Sequence, residues 1–132
     1  MLFYLLYLFI LLPIISACFL LFLPSKISKV ITALLYSLML GFACYLFVMT
    51  RFFGEEFTVT TGGEGILGIT LYCDLTASIF LVLICFLFIC FYLYSAIRDK
   101  ALERFNFFIT ILQSLIILII LSRDLFNIFV AL

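Results

Sequence analysis

Four long apolar stretches, each closed by a short cluster of charges or a proline, constrain this chain more than any other feature. They fall at residues 2–23, 30–53, 71–97 and 105–121. About 20 apolar residues rising about 1.5 Å each cross a hydrocarbon layer about 30 Å thick. By that ruler each stretch is expected to be a membrane-crossing helix, the fourth with Ser122 and its flanking groups at the interface. The expected class is an all-α integral membrane protein, a single transmembrane helical bundle over residues 1–132. Residues 125–132 are again apolar but reach only about 12 Å as a helix. They are expected to be the start of a fifth helix that breaks off, with Asp124 as its cap.

Composition supports lipid as the solvent. The chain is 69% hydrophobic, with seven basic and seven acidic residues, and its mean hydropathy is +1.50. So few charges, confined to corners, cannot make a surface that stays dispersed in water. A net charge of zero and the lack of any basic tract exclude nucleic acid as a partner, because phosphate neutralisation has no source. The first stretch has no basic start and no small-residue cleavage site ahead of a polar domain, so it reads as a retained helix and not a signal peptide.

The connection at residues 54–70 contains Thr58, Thr60 and Thr61 alternating with Phe57 and Val59, then Gly62-Gly63, then a second β-favouring run into Ile69. That pattern predicts a small β-hairpin, or else an irregular glycine-rich loop. Backbone outside a helix cannot face lipid, so either form must lie in water or against protein. Lysines and arginines set orientation. Lys26 and Lys29 mark 24–29 as cytoplasmic, and Arg98, Lys100 and Arg104 do the same for 98–104. Arg51 stands against Glu55, Glu56 and Glu64, which places 54–70 and the amino terminus outside the cell membrane.

Little here carries chemistry. There is no histidine, no phosphate-cradling loop and no nucleophile motif, so an enzyme is not expected, nor a metal or other cofactor. Cys18, Cys44, Cys73, Cys85 and Cys90 show no CxxC spacing, and they read as buried inert thiols; Cys73, beside the loop, is the one placed for exposure. Gln113 is the polar residue most costly to turn toward lipid, and it reads either as an interhelical hydrogen bond or as part of a hydrated path. Asp74 opens the third stretch four residues before Ser78, serving either as a helix cap or as a functional carboxylate. Asp124 with Asn127 presents the same choice. The seven tyrosines are candidate interface anchors where they lie near the ends of spans.

Two stretches together resemble a known family. One runs Gly65-Ile66-Leu67-Gly68-Ile69-Thr70-Leu71-Tyr72-Cys73-Asp74-Leu75-Thr76-Ala77-Ser78; the other is Leu121-Ser122-Arg123-Asp124-Leu125-Phe126-Asn127-Ile128-Phe129-Val130-Ala131-Leu132. They look like the amino-terminal part of the antiporter-like proton-conducting proteins, the group that includes the large Mrp cation/proton antiporter subunits, the large membrane subunits of respiratory complex I and their counterparts in membrane-bound hydrogenases. The resemblance implies that Asp74 and Ser78 open the third helix after an outer hairpin, and that Asp124 to Asn127 open the fifth. It also implies a fragment or split subunit of a cation/proton antiporter or a redox-driven ion pump, acting mainly by helix packing, with partner membrane subunits that include one continuing the fifth helix. The alternative is a small accessory or assembly membrane protein with no ion path.

Overall fold

Leu, Ile and Phe dominate the chain between its breaks, and a backbone with so little polar competition satisfies its own N–H and C=O groups by coiling. The computed structural model describes residues 3–20, 22, 25–54, 56–61, 69–98 and 102–122. Within them lie α1 (Phe3–Leu20), α2 (Ser25–Val48), β1 (Phe57–Thr61), β2 (Ile69–Cys73), α3 (Leu75–Arg98) and α4 (Leu102–Leu121). Pro24 stands immediately before α2 in the chain, where a missing N–H costs a helix least. α2 runs on into a wider π-helical turn, Met49–Phe53, which Gly54 ends in the left-handed region at φ 64°. Glycine closes helices there because it has no Cβ to oppose a positive φ.

The helices bury one face each at alternating steps of three and four. On α2 and its π-helical extension the sealed positions include Ser28, Thr32, Tyr36, Met39, Ala43, Leu46 and Thr50, and on α3 they include Ser78, Leu81, Cys85, Tyr92 and Ser95. That repeat keeps one seam in contact over the full length of a helix pair. α2 packs along α3, α4 packs along both α3 and α1, and α1 touches α2 less extensively. Ala17, Ala43 and Ala77 are buried, and small side chains let helix backbones approach closely.

β1 and β2 pair antiparallel from Phe57↔Cys73 to Thr61↔Ile69; their connection, 62–68, lies outside the described residues. Alternation turns Phe57, Val59, Leu71 and Cys73 to one face, and all four are buried. The hairpin therefore caps one end of the bundle, and an isolated bridge from Leu71 to Ser122 ties it to the end of α4.

The expected four transmembrane helices are not supported among the described residues. Among the described residues two helices are long and apolar enough to cross a membrane, Ile27–Phe53 and Leu75–Ala96, with 27 and 22 residues. The apolar parts of the other two, Leu6–Phe19 and Asn106–Leu121, are each 10–17 residues. The physical reason is that an apolar run is not a helix. The first run continues past Leu20, where α1 ends; the third begins with residues that belong to β2; and the fourth starts within a turn that carries Glu103 and Arg104. The expected start of a fifth helix at 125–132 lies outside the described residues.

Candidate functional site

Where β2 turns into α3 the chain places a carboxylate beside an opening. Asp74 Oδ1 accepts the Ala77 backbone N–H at 2.7 Å, and its carbonyl accepts the Ser78 N–H at 2.9 Å. The side chain thus caps α3, satisfying one of the donors that a helix start leaves unpaired. A crevice of about 270 Å³ opens at this point, lined by Tyr72, Asp74, Thr76 and Phe80 on one side and by Ile120 and Ser122 of the α4 end on the other. Beside it, the buried Cys73 thiol is pushed up to about 12 by burial first and by the neighbouring Asp74 charge second. It stays a neutral thiol at physiological pH and is no nucleophile. Sequence position suggests exposure for Cys73; β-strand alternation turns it inward instead.

Asp74 and Ser78 share a helical turn, but their side chains take different partners. Ser78 is fully buried, and its hydroxyl lies 2.9 Å from that of Thr50 at the end of the second helix and 2.8 Å from the Leu75 carbonyl. Thr50 also reaches the Leu46 carbonyl at 3.0 Å. One hydroxyl donates to a carbonyl and the other to its partner, which locks the two helices together just beneath the hairpin.

Gln113 is fully buried at the middle of the bundle. Its Nε2 donates toward Cys85 Sγ at 3.9 Å, a weak bond to a soft acceptor, and its Oε1 has no partner among the described residues. A turn earlier on α4, the Thr110 hydroxyl meets that of Tyr36 at 3.0 Å. Closer to the basic end, Ser95 Oγ lies 3.5 Å from Asn106 Oδ1, and the Tyr92 hydroxyl donates to the Lys29 carbonyl. On the α1 side, Ser114 donates to the Ile10 carbonyl at 2.7 Å, near the point where Pro13 lacks the N–H that would have served Phe9.

Asp124 and Asn127 lie outside the described residues, so the structure brings together only Asp74 and Ser78 of the motif residues, with Gln113 in a separate layer. Sequence reasoning misses the layer of Tyr36, Tyr92, Asn106 and Thr110. Tyrosines near span ends read as interface anchors, whereas Tyr36 and Tyr92 are interior, with ring centroids 5.5 Å apart. The spacing of Asn106, Thr110 and Gln113 by four and three is the available signal. Among the side chains described, charged groups stand only at helix ends or on the hairpin side: Lys29, Arg51, Glu56 and Asp74. No group of three metal-ligating side chains stands together among the described residues.

Fold and site define a small helical bundle with two helices of membrane-crossing length, hydroxyls and an amide sealed inside, and apolar side chains outside. Compared with known protein families and with curated proteins, the chain matches none. The resemblance to antiporter-like subunits therefore rests on its motif residues alone.

Proposed function

We propose that this chain is a membrane-embedded packing subunit of a larger ion-translocating assembly, one that holds partner helices in register and performs no chemistry itself. The observation that carries the reading is an apolar outer face around a core that encloses polar side chains among its apolar ones. Thr32, Ser78, Thr110 and Gln113 are sealed inside, while Leu34, Leu38, Leu83, Phe86 and Leu87 face outward. In the two helices long and apolar enough to cross a membrane, only 33% and 28% of the apolar window is buried. The core helix of a water-soluble protein hides its apolar side chains, whereas here large apolar residues stand exposed along both of these helices. In lipid the same face carries no penalty.

The ion-translocating part of the reading follows from the motif resemblance at Asp74 and Ser78. Its partners are the large membrane subunits of a cation/proton antiporter or of a redox-driven pump. Basic corners at 24–29 and 98–104 orient the bundle with those stretches in the cytoplasm and the hairpin outside.

A tagged chain tests this in two stages. Membranes washed with alkaline carbonate retain it, and mild-detergent purification brings larger ion-translocating subunits with it, identified by mass spectrometry. Release by carbonate overturns the membrane placement; elution as a stable particle without such subunits overturns the partner assignment. A second reading, an accessory or assembly protein with no ion path, is favoured by the interior hydroxyls. Thr50 with Ser78 and Tyr36 with Thr110 are already paired, which leaves them committed to holding helices. Transient association with an incomplete complex distinguishes that reading.

A further inference from the structure

Arg51 and Asp74 stand at the same end of the bundle on different flanks. The Thr50 and Ser78 hydroxyls lie 2.9 Å apart; Arg51 follows the first directly and Asp74 precedes the second by one turn, so the two charges share a depth. Arg51 is exposed, and Asp74 opens into the crevice between the start of α3 and the end of α4. Among the described residues neither forms an ion pair. The crevice suits a basic side chain. Ala77, Phe80 and Ile120 make an apolar wall for a methylene stem, with Asp74 and Thr76 on the polar side. A guanidinium seated there gains a charge-assisted bond to the carboxylate and an aromatic face to stack on.

Away from these charges, the exposed surfaces of α2 and α3 complement each other in size. On α2, Ser37, Gly41 and Cys44 are exposed, and a Cβ on Gly41 would meet nothing within 4 Å. Small side chains in a row let a neighbouring helix approach closely. On α3, Phe80, Leu87 and Phe91 form an exposed stripe that starts at the crevice. Thr50 faces Ser78 and, the same length of helix away, the Tyr36 ring faces that of Tyr92. The two helices therefore run in step, which puts Gly41 level with Leu87 and Ser37 level with Phe91. Two copies in one orientation thus offer bulk against hollow at these levels, with Arg51 at the height of the crevice.

We propose that copies of this chain associate side by side in one orientation, Arg51 of each entering the Asp74 crevice of the next. Because the two surfaces differ, pairing continues into a ring or a row. The proposal rests on the membrane placement above and is independent of the partner assignment. The full chain, fused to donor or acceptor fluorescent proteins, is reconstituted in phosphatidylcholine vesicles, and energy transfer is followed as added lipid dilutes it. Arg51→Glu alone and Asp74→Lys alone each weaken association about tenfold or more, since like charges then meet. Mixing these two variants restores it, because each then offers the other an opposite charge. Asp74→Asn keeps the helix cap and still weakens association, which separates lost charge from lost folding. Lys29→Glu, at the other end of α2, leaves association unchanged. Full association of Asp74→Asn overturns the proposal, as does an equal loss from Lys29→Glu or a mixture of two folded variants that does not recover. Absence of energy transfer in a wild-type chain that alkaline carbonate fails to extract overturns the pairing alone; release by carbonate overturns the membrane placement with it.

Discussion

Asp74 sits at the one place where an acidic side chain is useful to the backbone and also within reach of an opening. Its capping bond to Ala77 predicts that Asp74→Ala lowers stability by about 1 kcal/mol while Asp74→Asn, an equally good cap, changes it little. Thermal melting in detergent reads the difference, and equal loss in both variants would mean that the charge matters more than the cap. Cys73 gives a pH signature. Its folded pKa of about 12 exceeds the ordinary thiol value of 9.0, so the folded state holds its proton longer than the unfolded one. The associated stability is whole below pH 9 and fades between 9 and 12. Cys73→Ala is expected to flatten part of that alkaline decline, and a maleimide to modify the wild-type thiol only after unfolding. In the middle layer, Thr110→Val strands the Tyr36 hydroxyl and is expected to cost about 1–3 kcal/mol. Gln113→Leu removes an amide that is already half unpaired and is expected to be nearly neutral. Denaturant titration in mixed micelles ranks the two; a reversed order would refute the pairing. Asp74 as a helix-opening residue is readable from its position before an apolar run. The partners of Ser78 and Gln113 are not, because they lie 28 residues away along the chain and sequence spacing says nothing across helices.

At the scale of elements, apolar content identifies where helices form but overstates how far they reach. Residues 71–73 are as apolar as the start of α3, yet they pair with β1 because Asp74 supplies a helix start only after them. Amphipathic periodicity offers little help, since the outward faces are as apolar as the core and the distinguishing residues inside are polar. The alternation of threonine with bulky apolar residues at 57–61 is legible without any structure. The end of the second helix depends on Gly54, whose added Cβ would meet nothing within 4 Å, so any effect of substitution comes from the backbone alone. Gly54→Ala is expected to cost about 1 kcal/mol through its positive φ, and Gly54→Asn less. Thermal melts of the two variants check this, and comparable losses from both would point to a contact and not to backbone strain.

For the molecule as a whole, the two kinds of helix pairing differ in how far apart their partners lie in the chain. α2, the hairpin and α3 are consecutive, and their contacts close over short loops. α1 finds its main neighbour in α4, and the bond from Ser114 to the Ile10 carbonyl spans 104 residues. Native-state hydrogen exchange is expected to protect the amides of α2 and α3 more than those of α1, since local opening begins where support is thinnest; equal protection would argue for a single cooperative unit. The distance between Ile10 and Ser114 also imposes an order on biosynthesis. While the ribosome is still making the middle of the protein, α1 has only its slighter contacts with α2 and β1, and its main neighbour exists once α4 has been made.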